Sequence, residues 1–216
     1  MLPTASYAAQ SARWPSRGKH ILAHHDDETI VVYQAYRPEI GEWAIANGRL
    51  GGPAFSVDRM SWIKPNFLWM MFRSGWGTKE DQEVTLGLRL GRGFFDALLA
   101  DAVASTYRAS GCESQAAWKR AMKRSDVRLQ WDPDHGPGGE KLERRAVQLG
   151  LRGEALRRMV EDETREVLDM RLLVDAEGAR LRREGRDAVQ TPVETTYQPR
   201  DPDAAANVRL DPPPSP

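Results

Sequence analysis

The stretch richest in chemically useful residues runs Phe55-Ser-Val-Asp-Arg-Met-Ser-Trp-Ile-Lys-Pro-Asn-Phe-Leu-Trp-Met-Met-Phe-Arg-Ser-Gly-Trp-Gly-Thr-Lys79. It places three of the seven tryptophans, Trp62, Trp69 and Trp76, among four cations, Arg59, Lys64, Arg73 and Lys79. Aromatic faces beside guanidinium and ammonium groups suit a planar anion such as a nucleotide, because indole stacks on the base and Arg or Lys pairs with phosphate. The Gly75-Trp76-Gly77-Thr78 turn offers backbone amides that can approach a phosphate. Plain structural readings compete. Trp69 lies on an apolar helix with Met70, Met71 and Phe72 and reads as core. Trp62 and Trp76 flank that helix in polar company, where stacking and packing are equally compatible. Arg73 closes the helix, where a cation meets the carbonyl end favourably.

A second set of polar groups sits in apolar strands. Gln34 and Tyr36 leave one face of the Thr29–Tyr36 segment, since alternate residues of a strand share a face. Gln130, beside Asp132, and Gln148 occupy comparable positions later. A buried glutamine needs hydrogen-bond partners, so the three either converge on a ligand or satisfy backbone separately. Gln34, Tyr36 and Gln148 enter as the candidate catalytic residues, with Gln34 and Tyr36 orienting the ligand. Arg59, Trp62, Lys64, Arg73, Trp76, Lys79 and Gln130 are the candidate substrate-binding residues. No metal is expected: His24-His25-Asp26-Asp27-Glu28 lists ligand types, but adjacent residues diverge and no second ligand pair follows. We read it as a solvated acidic turn; His135, in a Pro/Gly loop with Asp132 and Asp134, is compatible with a general base and is read as a flexible surface turn. Cys112 neighbours Glu113 in a polar stretch with no local cation, which disfavours a thiolate. There is no Gly-x-Ser-x-Gly, no P-loop spacing and no dinucleotide fingerprint.

The elements that position these residues follow from hydrophobic period. Thr29–Tyr36 is β-branched and aromatic and predicts a strand. Pro38 opens a helix that Asn47-Gly48 stops. Lys64-Pro65 opens a second, apolar on all sides and ended by Ser74-Gly75. Val84, Leu86, Leu88 and Leu90 alternate as a half-buried strand. Gly93–Ala104 reads as a helix, and Val127–Trp131 and Ala146–Leu151 as strands that could form a hairpin. Gly153–Glu166 reads as a helix, Glu166–Val174 as a last strand and Arg180–Arg186 as a frayed segment. The fold class is α+β, a mixed sheet with flanking helices.

Composition bounds the rest. The 216 residues are 40% hydrophobic and 29% charged, enough for one domain with a real core. The 31 basic and 31 acidic residues balance, so any basic site must be local. A lone cysteine fits a reducing compartment. The first residues lack a signal-peptide pattern and the longest apolar run, Phe67–Phe72, is too short to span a bilayer, so a cytoplasmic location with no membrane partner is expected. Residues 1–19 read as a mobile arm and 20–178 as the single globular domain. Residues 186–216 hold half of the 14 prolines and read as a disordered tail.

Thr29-Ile-Val-Val-Tyr-Gln-Ala-Tyr36, the whole Phe55–Lys79 block, Val127-Arg-Leu-Gln-Trp-Asp-Pro133 and Val147-Gln-Leu-Gly-Leu-Arg-Gly-Glu-Ala-Leu156 together resemble the domain of unknown function family 4291, over roughly residues 20–175. That resemblance carries no reaction. Val32-Tyr-Gln-Ala-Tyr36 followed by a helix closing at Asn47-Gly48-Arg-Leu50 is also similar to the opening of the ADP-ribosyltransferase fold. There a Tyr-His-Gly-Thr-like turn grips NAD, which would put Gln34 in the His position. This sequence departs by using glutamine there, by lacking a Ser-Thr-Ser element and a Glu-x-Glu ending, and by offering only Gln148 in place of the acid. The resemblance implies an enzyme on a nucleotide-type substrate, with NAD as cofactor and ADP-ribosyl transfer to nucleic acid or protein. The alternatives are a non-catalytic nucleotide- or RNA-binding module, and a structural protein whose tryptophans are core.

Overall fold

The computed structural model describes residues 1–212. In chain order its strands are β1 (Thr4–Ser6), β2 (Gly18–Lys19), β3 (Ile21–Ala23), β4 (Thr29–Tyr36), β5 (Ser61–Ile63) and β6 (Val84–Gly91), then β7 (Val103–Ala104), β8 (Val127–His135), β9 (Lys141–Leu151), β10 (Thr164–Asp169), β11 (Gln190–Pro192) and β12 (Thr195–Tyr197). The α-helices are α1 (Tyr7–Ser11), α2 (Pro38–Asn47), α3 (Phe67–Ser74), α4 (Arg92–Asp101), α5 (Tyr107–Ser110), α6 (Gln115–Arg124), α7 (Gly153–Arg158), α8 (Arg171–Glu184) and α9 (Pro202–Val208).

Two sheets organise the molecule. One is antiparallel, in the order β10-β6-β4. The other is built on the β8–β9 hairpin, with the short parallel strand β7 beside β8, and with β5 and β2 on the far edge of β9. Helices connect most strands, yet the long pairings are antiparallel, so the α+β expectation holds and the hairpin alternative for β8 and β9 is the one realised. The apolar residues of the two sheets face each other: Ile30, Val32, Leu86, Leu88 and Leu90 share a core with Val127, Leu129, Val147, Leu149 and Leu151. The opposite face of β4, with Val31 and Tyr33, packs on α3 and on Leu168, Met170 and Val174. β6 is accordingly buried on both faces rather than one, because Leu168 and Met170 cover Gly87 from behind.

Helix ends follow their caps. α2 starts with proline in its first turn and stops at Gly48 in the left-handed conformation (φ 64°). α3 begins later than the Lys64-Pro65 signal, at Phe67, because the Asn66 side chain accepts the Trp69 N–H and sets the boundary there. The helix expected over Gly93–Ala104 runs from Arg92 to Asp101. That expected over Gly153–Glu166 ends early: α7 widens into a π-turn at Met159–Glu163, whose Met159 carbonyl accepts the Thr164 hydroxyl, and β10 follows. The strand expected over Glu166–Val174 is β10, which starts two residues earlier and stops at Asp169; it is not the last, since β11 and β12 follow, and the charged Arg180–Arg186 region belongs mostly to α8.

The two ends of the chain depart most from expectation. The arm read as mobile contributes Leu2, Tyr7 and Trp14 to the second core cluster, and β1 pairs with β11. The tail read as disordered supplies β12 beside β3, the buried Tyr197, and α9, whose Ala204 and Val208 are buried in the first cluster. Proline content misled because position matters. Pro192 ends a strand of a two-stranded edge sheet, and Pro202 sits in the first turn of α9 behind the Asp201 cap, where no amide hydrogen bond is lost. The ordered body therefore extends past 20–178 in both directions, while residues 213–216 of the predicted tail lie outside the described residues.

Candidate functional site

β4 and β5 are stitched at one point. Tyr33 N–H donates to the Lys64 carbonyl (2.7 Å) and Lys64 N–H to the Tyr33 carbonyl (3.2 Å). This fixes the backbone of Lys64 between the two sheets. Beside it Gln34 Nε2 donates to Ser61 Oγ (2.7 Å) and to the Trp62 carbonyl (3.1 Å), while the Tyr36 hydroxyl donates to Gln34 Oε1 (2.7 Å). Burial raises the Tyr36 pKa against the lowering effect of its bonds to Ser61 and Gln34, so the phenol is held neutral.

On β9, Trp62 lies opposite Gly150. A Cβ at Gly150 would sit 2.9 Å from the indole carbons, so only glycine lets Trp62 lie over the sheet. Gln148 and Gln130 face one another across β8 and β9. Both amides donate to Asp132, Gln130 to Oδ1 (2.8 Å) and Gln148 to Oδ2 (2.6 Å).

These elements enclose a hollow of about 540 Å³ lined by Gln34, Tyr36, Arg59, Ser61, Trp62, Lys64, Trp69, Arg73 and Gln148, with Ala35, Met60, Met70, Asp81 and Gln82. That size falls in the ~300–1,000 Å³ range of small-molecule sites. Seven of the ten predicted site residues thus meet: the catalytic candidates Gln34, Tyr36 and Gln148, and the binding candidates Arg59, Trp62, Lys64 and Arg73. Among the described residues none of the three cations makes an ion pair. Arg59 and Arg73 are exposed at the rim, and Lys64 is only 5% exposed. Its Nζ stands 4.9 Å from the Trp69 ring centre. Burial first, then the nearby Arg73, push the Lys64 amine down to about 8, with Asp132 opposing.

Three predicted binding residues lie elsewhere. Trp76 packs edge-on against Phe67 and donates to the Pro137 carbonyl (3.1 Å), so it is a packing residue. Lys79 Nζ donates to the Arg73 (2.8 Å) and Phe72 (3.3 Å) carbonyls, which makes it, rather than Arg73, the cation that caps α3. The Gly75–Thr78 amides are likewise spent on the helix end: Trp76 N–H reaches the Met71 carbonyl, Gly77 N–H the Ser74 hydroxyl, and Thr78 N–H the Gly75 carbonyl. Gln130 lines a neighbouring hollow of about 620 Å³ with Cys112, Asp132 and Arg145, and is linked to the first through Asp132, which Gln148 also holds. A further hollow of about 590 Å³ between α4, α6 and α7 mixes Arg120, Arg124 and Arg158 with Asp101, Asp126 and Glu154. Neither offers a tryptophan beside a buried, unpaired cation.

Sequence reasoning passed over Trp69 and Ser61. Trp69 is buried as expected, yet it also lines the hollow and carries the Lys64 ammonium on its face. Its spacing to Lys64 was visible, but not which side of the apolar helix faced the strand. The acidic turn is as expected: the Asp26 carboxylate accepts the Glu28 (2.8 Å) and Thr29 (2.6 Å) amides. His135 differs. It is buried and stacks on Phe72 with ring centres 3.5 Å apart, because β8 continues through it before the glycine turn.

A family model described as "Domain of unknown function (DUF4291)" matches residues 20–197. No curated protein matches the chain.

Proposed function

Since the chain belongs to the DUF4291 family, whose description assigns no reaction, we propose its function from the hollow: it binds a nucleotide-type small molecule there. Trp62 stacks on the base, Arg59 and Arg73 take phosphate at the rim, and Lys64 meets charge inside. The observation that carries this reading is the meeting of three unpaired cations with Trp62 in one small-molecule-sized hollow. Gln34 acts as a positioning residue, since its amide hydrogens are committed to Ser61 and Trp62. Gln148 keeps its Oε1 free of any described partner and so can accept from the ligand.

The enzymatic form of the proposal is NAD-dependent ADP-ribosyl transfer, resting on the likeness of the Tyr33–Tyr36 strand end to that fold; its acceptor would be nucleic acid or protein. The alternative is a non-catalytic nucleotide- or RNA-binding module using the same residues. We place the protein in the cytoplasm, on its single free cysteine. Among the described residues no helix is long and apolar enough to cross a membrane. Titration with ADP or NAD should quench tryptophan fluorescence, and Arg73→Ala should weaken binding about tenfold. Nicotinamide release from NAD supports the enzyme; binding without release supports the module. No quenching by any nucleotide ends both.

A further inference from the structure

Lys64 is buried along its stem, while its Nζ opens on the hollow. Among the described residues it has no ion pair, and what its Nζ meets is the face of Trp69 at 4.9 Å. Asp132, the carboxylate that acts on it electrostatically, is already held by the Gln130 and Gln148 amides. The indole Nε1 of Trp69, also buried, has no hydrogen-bond partner either. The backbone of Lys64 is pinned by Tyr33 through both its N–H and its carbonyl, which fixes the point from which the side chain enters the hollow. A desolvated amine fixed beside another cation, facing a small-molecule-sized space, is the arrangement by which a lysine becomes a nucleophile toward carbonyl groups.

We propose that Lys64 is a Schiff-base-forming lysine, and that its reactant is an aldehyde carrying a phosphate that Arg59 and Arg73 receive. The neutral Nζ adds to the carbonyl carbon. The C=O π pair moves to oxygen, which takes the proton released from nitrogen. The resulting carbinolamine loses water, so the C–O bond breaks as the C=N bond forms, and nothing is oxidised or reduced. Burial and Arg73 keep a useful fraction of the amine unprotonated near neutral pH, with its pKa at about 8. The phosphate requirement rests on the proposed anion-binding role of the hollow; the amine chemistry rests on Lys64 alone.

The test uses pyridoxal 5′-phosphate as probe, with phosphate-free pyridoxal as its control, on the full chain. After borohydride reduction, peptide mapping assigns the adduct among the six lysines, Lys19, Lys64, Lys79, Lys119, Lys123 and Lys141. At substoichiometric probe, Lys64 should carry at least about tenfold more adduct than any other lysine. Labelling should rise as pH passes through about 8 and fall about tenfold in Arg73→Ala or with pyridoxal. Equal labelling of all lysines, or none at Lys64, overturns the proposal, and it does so even where nucleotides still quench fluorescence. Selective labelling at Lys64 by both probes alike keeps the amine chemistry and removes the phosphate requirement. Selective labelling without nucleotide quenching keeps this inference and sinks the nucleotide reading.

Discussion

Replacing Lys64 with methionine should stabilise the protein at neutral pH. Methionine keeps an unbranched apolar stem, and the buried ammonium disappears. Burial and Arg73 hold the folded-state pKa at about 8 against the ordinary 10.5. At ~1.36 kcal/mol per pH unit, that difference penalises the charged form by about 3 kcal/mol. The lost contact with the Trp69 face returns roughly 1–2 kcal/mol, leaving a net gain of about 1–2 kcal/mol. For a chain of this length each kcal/mol raises Tm by about 2–4 °C. The pH dependence has a definite sign. Below pH 8 the lysine is protonated both folded and unfolded, so the penalty is constant. Between about 8 and 10.5 the unfolded chain holds a proton that the folded one releases, and wild-type stability rises with pH. Urea unfolding at pH 7 and pH 10 should therefore show the variant ahead at pH 7 and the lead shrinking at pH 10. A variant less stable at pH 7, or a difference that ignores pH, would refute the reasoning.

Three other perturbations separate the site from its supports. Gly150→Val puts a Cβ 2.9 Å from the Trp62 indole; it should cost about 1–3 kcal/mol and abolish nucleotide quenching, as measured by unfolding and fluorescence titration. Glu194 is buried, with Oε1 accepting the Phe67 amide at the start of α3 (2.8 Å), and burial raises its carboxyl to about 8. The folded chain thus holds a proton that the unfolded one loses, so wild-type stability should fall as pH rises from about 4.5 to 8. Glu194→Gln should flatten that slope in denaturant curves, and an unchanged slope would show that Glu194 is not its source. Trp76→Phe, losing the bond to Pro137, should cost about 1 kcal/mol and leave nucleotide affinity unchanged; a large loss of affinity would return Trp76 to the site.

Local signals marked the middle of the chain well. β4, α2 and the β8–β9 pair follow from β-branched runs, the Pro38 start and the Asn47-Gly48 stop. Seven site residues converge because the alternation of β4 and the Lys64-Pro65 break put polar groups at a strand end and a helix start. What sequence could not reveal was set by distant partners. Asp132 draws Gln130 and Gln148 together only because β8 and β9 adopt that register. Lys79 and Arg73 trade the capping role because the chain turns back after Gly75. The terminal segments are short strands whose partners lie at the other end of the sequence, so nothing near them announces pairing.

That pairing has a consequence for biogenesis. Thr4–Ser6 is matched with Gln190–Pro192, and Lys19 receives the Asp211 amide. At ~5–20 residues per second, ribosomal synthesis leaves the first strand waiting roughly ten to forty seconds for its mate. Trp14 stays uncovered for the same interval, since its indole donates to the carbonyl of Glu194. Closure of so long a loop slows the final step. Nascent chains should hence be most vulnerable to chaperone capture and to proteolysis just before the C-terminal quarter emerges.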